Sequence, residues 1–551
     1  MRSFLKALLA ILITFFALLL LHLPLLRLPY FWDEAGYYIP AALDFYRTGA
    51  LIPGSTLPTG HTPLVMIYVA LWWRILEYSA WVTRAAMAML AAATIIALYA
   101  LGRRVATREI AAWSALLLAL SPLFFAQTTL VHLDLAVALF TTLAVLFLLR
   151  DDVWLFALAA SLAVLSKETA VVLLPVAWLY AWGTARTHST GRRARLRTWA
   201  ALVVPVVPLA VWTFYYHHAT GFWTGNRDYL SYNVYSTLSP ARIFLSLLRR
   251  AYELFISGFN WLLTACAMVG IWWGRKHRTG DLGLATPESR FLSAETGNVA
   301  RDAGLGSRFS SASQVPCRES RVPNPWRQFL FMAAGLIAIY VLVMSLVGGA
   351  ILPRYLLPVM PLFYLATVAM VMRLPRFHAR LILALAAAAF VGAWFINPPY
   401  PFPFEDNLAY ADFIRLHQQT AEYLETLPGQ PRILSAWPAT DELTNPLLGY
   451  VRRPLSVVPI SGFAPQVFAA VSPDSFDLLY LYSRKWEPPG NWVERLPSWL
   501  QLQERYFDYY PQAPGELLAS RYHLRLLREM ILRGQWVRVY ATSKGGSRAG
   551  R

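Results

Sequence analysis

The sequence predicts a multi-pass α-helical membrane protein, about 11 transmembrane helices followed by a C-terminal extracytoplasmic α/β domain. Three observations carry that prediction. The 551 residues are 57% hydrophobic and 15% charged, with mean hydropathy +0.42, against roughly 45–50% and about 25% in soluble domains. Apolar runs of spanning length recur along residues 1–397, each near the roughly 20 residues a bilayer requires. The arginines gather in short loops between these runs, which is the pattern of cytoplasmic flanks. A soluble enzyme, a disordered chain and a coiled coil are excluded, and the net charge of +18 is a topology signal rather than a nucleic-acid surface.

Candidate spans fall at 7–27, 79–101, 109–127, 131–149, 198–217, 255–274, 328–349, 356–373 and 379–397. The run from Val153 to Gly183 is about 46 Å long as one helix, too long for a hydrocarbon core of roughly 30 Å unless strongly tilted. A break near Ser166-Lys167-Glu168 makes it two helices. With the N-terminus inside and two helices here, the clusters at Arg103 to Arg108, Arg186 to Arg197, Arg275 to Arg278 and Arg373 to Arg380 all fall on the cytoplasmic side. The apolar N-terminal run lacks a small-x-small cleavage site and reads as a retained signal anchor.

This topology leaves three regions outside the bilayer. The outer loop 29–79 carries amphipathic segments at Tyr38 to Tyr46 and Leu64 to Leu76 that suit the membrane surface. Residues 277–327 are rich in Ser, Gly and Arg and predict a disordered cytoplasmic loop. Residues 398–551 open on Pro398-Pro399-Tyr400-Pro401-Phe402-Pro403. They alternate candidate strands (432–435, 455–459, 476–482, 537–542) with candidate helices (407–427, 438–449, 515–533). Cys266 and Cys317 imply neither a disulfide framework nor a metal site.

The candidate chemistry lies on the outer side. In Tyr30-Phe31-Trp32-Asp33-Glu34, two adjacent carboxylates flanked by aromatics follow the first run and can supply a general base and a second acceptor. Asp33 is equally placed to cap the helix beginning at Glu34. His61 sits in a rigid turn between Pro58 and Pro63, as a ligand group or simply a loop histidine. Asp134 opens a span, either as a cap or as a functional carboxylate facing the bundle. Lys167 is one of five lysines beside 44 arginines. At a helix break it either meets a phosphate or snorkels with Glu168. Arg227, near Tyr229, and Arg354, beside Tyr355, are clamps for a phosphate or interface anchors.

In order and side of the membrane, these motifs resemble those of the protein O-mannosyltransferase and aminoarabinose transferase group, glycosyltransferase family 39-like enzymes of the GT-C fold. The segments that carry the resemblance are Phe31-Trp32-Asp33-Glu34, His61-Thr62-Pro63-Leu64, Asp134, Ser166-Lys167-Glu168 and Arg354-Tyr355-Leu356-Leu357-Pro358. The resemblance implies an inverting transferase that takes a hexose or pentose from a polyprenyl-phosphate donor on the outer face of the plasma membrane. Asp33, Glu34 and Asp134 would be catalytic, and His61, Lys167, Arg227, Tyr229, Arg354 and Tyr355 would bind substrate. No metal or other cofactor is required, although a divalent ion is compatible. His61 stands where the aminoarabinose branch carries Lys. The partners implied are the lipid-linked donor, membrane lipids and an acceptor the sequence does not identify, with no nucleic acid. A lipid-linked glycan transporter would need a second copy of the 153–183 break, and a non-enzymatic envelope scaffold would need ordered polar surface only in the tail.

Overall fold

The computed structural model describes residues 2–187, 192–227, 230–231, 238–277, 324–347, 352–487, 496–507 and 511–542. The expected loop 277–327 lies almost wholly outside the described residues, as does Tyr229.

Residues up to Ala393 form a helical bundle. Among the described residues, five helices are long and apolar enough to cross a membrane: Ala80–Val105, Arg192–Thr220, Pro325–Val347, Pro353–Val371 and Arg376–Ala393. The pair Pro240–Phe255 and Ser257–Lys276, bent by 44°, makes six. The helices Leu5–Leu21, Leu64–Leu76, Leu133–Leu148 and Val153–Ser166 are apolar but shorter. The long run at 153–183 is broken where expected: Val153–Ser166 ends at Lys167, and a 3-10 turn, Glu168–Val172, leads into Leu173–Thr187. Polar side chains set several helix starts. Ser79 accepts from the Val82 amide and Thr107 from the Ile110 amide, satisfying amides that have no partner within their own helix.

The outer loop contains a π-turn, Glu34–Tyr38, and the helices Ile39–Thr48 and Leu64–Leu76. Its turn at Pro58 to Pro63 is tied down by Tyr216 Oη donating to the Pro58 carbonyl and Trp212 Nε1 donating to the Gly60 carbonyl. Thr62 Oγ1 donates to the carbonyl of Val164, so the loop is also fastened to the helix that ends at Lys167.

The tail folds around a five-stranded sheet. Its strands are β1 (Ile433–Ala436), β2 (Val457–Ile460), β3 (Leu478–Tyr482), β4 (Leu524–Leu532) and β5 (Gln535–Thr542), in the order β2-β1-β3-β5-β4. β1 runs parallel to β2 and β3, whereas β5 is antiparallel to β3 and β4. The expected helix 515–533 is corrected by this sheet. Helix Gly515–Tyr522 stops at His523, and the remainder is β4, turned back on β5 at Arg533-Gly534, where both residues have positive φ. The hairpin turn and cross-strand pairing outweigh a helix-like charge spacing.

The tail packs directly on the outer loop. Phe31 meets Tyr410 and Phe413, and Trp32 meets Trp437. A Cβ at Gly36 would lie 2.6 Å from Trp437 Nε1, so the close approach requires glycine. Tyr450 Oη donates to the Tyr30 carbonyl.

Candidate active site

Trp32, with φ +44°, turns the chain so that the neighbouring carboxylates Asp33 and Glu34 leave in different directions. Glu34 is fully buried. Its Oε1 accepts from Arg84 Nη1 and the Val131 amide, both at 2.5 Å, and its Oε2 accepts from the Phe31 amide at 2.8 Å. Arg84 also donates to the carbonyls of Thr129 and Pro29. These bonds use Glu34 to lock the first loop onto helix Ala80–Val105 and the 129–131 turn. With all three of these bonds made, the Glu34 carboxylate is tied into the fold.

Asp33 stands at the start of the π-turn but makes no side-chain cap hydrogen bond. Its Oδ2 accepts instead from Arg354 Nη2. The capping alternative is thereby set aside. Arg354 is the centre of a buried cluster: Nη1 donates to Glu405 Oε2 at 2.5 Å and to His132 Nε2 at 2.9 Å, and Nε lies 3.8 Å from Asp134 Oδ2. Because His132 Nε2 accepts from the guanidinium, its proton sits on Nδ1, which donates to Gln127 Oε1 at 2.5 Å. Asp134 Oδ1 accepts from Lys167 Nζ at 2.8 Å, so the break after Ser166 delivers its cation to this carboxylate.

Cations also gather around Tyr355. Lys167 Nζ lies 4.3 Å from the ring centre, and the guanidinium carbons of Arg250 and Arg354 lie at 5.4 and 5.7 Å. Arg250 and Arg354 are buried, and each has an Nε with no hydrogen-bond partner. Three cations converging on one ring, two of them with an Nε outside any hydrogen bond, form an arrangement that can stabilise an anion.

The carboxylates differ in access. The side chains of Asp134 and Glu405 are 3% and 4% exposed, whereas that of Asp33 is 17% exposed. Burial raises the Glu405 pKa, Arg354 opposes it, Asp33 and Asp134 add to it, and the balance is pushed up to about 7. Asp33 is thus the most exposed carboxylate of the cluster.

His61 lies beside the cluster. Its Nδ1 is 3.0 Å from Glu168 Oε2, next in the chain to Lys167, and it lines an aromatic groove with Tyr37, Tyr38, Trp212 and Tyr216. Arg227 is exposed. Among the described residues, no three His, Cys, Asp or Glu side chains stand in metal-binding geometry. The group that Asp33, Asp134 and Glu405 surround is the Arg354 guanidinium.

Sequence reasoning missed Glu405, Arg84 and Arg250. Arg84 carried a usable signal, since a charge inside an apolar helix is a candidate by default. Glu405 lies just after the proline run, where the tail was read as separate, and only the fold brings it to Arg354.

Residues 60–212 match the family model of dolichyl-phosphate-mannose-protein mannosyltransferase. The whole chain superposes on crystal structures of ArnT from Cupriavidus metallidurans, in the apo state and bound to undecaprenyl phosphate. In each case the TM-score is 0.52 at 15% identity, covering 98% of both chains. The chain resembles the GT-C glycosyltransferases of this group. The likeness to ArnT establishes the fold, and the segment matched by the family model contains His61, Asp134 and Lys167. The protein O-mannosyltransferase Pmt1-Pmt2 complex of S. cerevisiae, bound to its sugar donor, aligns over 42% of this chain and 36% of that one. Its 15% identity and TM-score of 0.32 add nothing to the fold assignment. No curated protein sequence matches the chain.

Proposed function

We propose that the protein is an inverting glycosyltransferase that moves a sugar from a polyprenyl phosphate to an acceptor on the outer face of the plasma membrane. The observation that carries this reading is the Arg354 cluster: an accessible carboxylate, Asp33, beside three cations gathered at Tyr355. Arg354 grips Oδ2 of Asp33, and a carboxylate has a second oxygen with which to take a proton.

In the reaction, Asp33 accepts the proton of the acceptor hydroxyl or amine as its oxygen or nitrogen bonds to the anomeric carbon. The bond from that carbon to the phosphate oxygen breaks, and the electron pair leaves on the polyprenyl phosphate. Lys167, Arg250 and Arg354 stabilise that developing charge. Asp134 positions Lys167, and Glu405 and His132 position Arg354. In this reading the cations Lys167, Arg250 and Arg354 supply the charge stabilisation, so a metal is not required, although a divalent ion is compatible. Arg227 and Tyr229 remain candidates for the donor's head group.

Eleven spans with the tail 398–551 outside suit this reading, because they put the 29–79 loop and the tail on the same side. The test is mass spectrometry of envelope glycans, lipids and proteins from a deletion strain. The reading expects an envelope molecule to lose one sugar while the sugar-charged polyprenyl phosphate accumulates. An unchanged envelope and donor pool would contradict it.

A further inference from the structure

Beside the Arg354 cluster lies a cavity of about 280 Å³. Its wall comes from the bend at Phe255–Asn260, the turn Pro353–Val359, the end of helix Arg376–Ala393 and the proline-rich entry to the tail. Most of that wall is apolar, with Phe259, Trp261, Met360 and Phe402 among its residues. Two carboxylates interrupt it, Glu253 and Asp406.

The Glu253 side chain is 5% exposed, and its Oε1 accepts from Arg249 Nε at 3.0 Å. Its Oε2 is buried with no hydrogen-bond partner, Arg250 Nη1 standing at 3.8 Å. Asp406 Oδ1 is likewise buried and without a hydrogen-bond partner. The two groups feel one another: burial raises the Asp406 pKa well above the usual carboxylate range, and the charges of Glu253 and Glu405 add to it against Arg249 and Arg354. Buried acceptors are normally paired, so two open ones on one wall suit an occupant that donates. A phosphate dianion has no donor to offer these acceptors. The lipid phosphate therefore belongs with the cations at Tyr355.

We propose that this cavity is the acceptor subsite and takes an amphiphile whose apolar body fills the wall and whose hydroxyl or amine head donates to Glu253 and Asp406. The assignment rests on the glycosyltransferase reading only for the word acceptor; the ligand chemistry follows from the cavity. Two lining residues, Pro353 and Asp406, are chain neighbours of Arg354 and Glu405, so the occupant's head lies alongside the cluster.

The test uses the full-length protein in phosphatidylcholine nanodiscs, with photoreactive alkyl-diazirine probes that differ only in head group: primary amine, glucoside or phosphate. The amine and glucoside probes are expected to label segments 252–261 and 396–407, and the phosphate probe to leave them at background. Glu253→Met with Asp406→Leu should lower that labelling by about tenfold or more, the loss expected when charge-assisted hydrogen bonds are removed. Ile396→Trp, at a residue lining the cavity yet 63% exposed, narrows the cavity without touching a carboxylate and should reduce labelling by both probes. Equal labelling by the phosphate probe, or undiminished labelling in the folded carboxylate variant, would overturn the proposal. Asp33→Asn should keep the labelling whatever happens to transfer, which separates failure of this subsite from failure of the catalytic reading.

Discussion

Two buried arginines, Arg84 and Arg354, both beside the first outer loop, organise neighbouring carboxylates in opposite ways. Arg84 is closed: it donates to Glu34 and to the carbonyls of Thr129 and Pro29, and Glu34 in turn accepts three bonds. Arg354 is open: it holds Asp33, Glu405 and His132, keeps an Nε without a hydrogen-bond partner, and meets carboxylates that differ in exposure. A saturated buried pair fixes geometry, whereas an under-satisfied one retains capacity for a ligand. Adjacent residues in the sequence thus enter a closed pair and an open cluster.

The sharpest way to break this comparison is Arg354→Ala. Three carboxylates lose their shared cation, which should cost about 3–5 kcal/mol in thermal unfolding of the nanodisc-embedded protein and abolish transfer. Arg354→Lys should regain part of the stability but little transfer, because the guanidinium fork is lost. A near-normal melting curve for Arg354→Ala would mean that the cluster is not held together as described.

Arg84→Met should destabilise by a similar amount, because it strands Glu34. The double variant Arg84→Met with Glu34→Leu should recover most of that loss, since replacing both partners of a buried pair is often close to neutral. Recovery of transfer along with stability would confirm a purely structural pair; stable but inactive protein would return Glu34 to the chemistry.

A smaller effect is expected at Lys167. Lys167→Ala should weaken binding of undecaprenyl phosphate by about 1.5–3 kcal/mol, read by titration of the lipid into the purified protein. Unchanged affinity would confine Lys167 to pairing with Asp134.

The smallest concerns pH. The Glu405 pKa is raised from 4.5 to about 7 in the fold, so the folded protein holds this proton more tightly than the unfolded chain. Its contribution to stability is full below about 4.5 and is lost as pH rises through about 7. Glu405→Gln should flatten the melting temperature across that window, and an unaltered slope would remove Glu405 from the account.

Much of this was legible in the sequence because it depends on local order. The helix break at Lys167 follows from a run too long for one span, and the outer-loop helices follow from their apolar periodicity. Asp33, Asp134, Lys167, Arg354 and Tyr355 stand out by residue type at the ends of apolar runs, and the fold gathers all five. What escaped is non-local. Nothing near Glu405 in the chain announces Arg354, and nothing near Glu34 says that it turns toward Arg84 while Asp33 does not. In the tail, β4 was read as helix because its partner β5 lies beyond a two-residue turn, and strand pairing is decided by the partner.

The most direct test of the open and closed pair is the rate of polyprenyl-phosphate release from lipid-linked sugar donors in membranes containing the native acceptor, for Asp33→Asn and Glu34→Gln at equal amounts of folded protein. Asp33→Asn removes the basic oxygen without removing a cap, because Asp33 makes no cap bond. Its rate should fall at least about 100-fold, while Glu34→Gln should melt at a lower temperature yet turn over within a few-fold of the parent. The reverse ranking, with Asp33→Asn active and folded Glu34→Gln silent, would contradict the account.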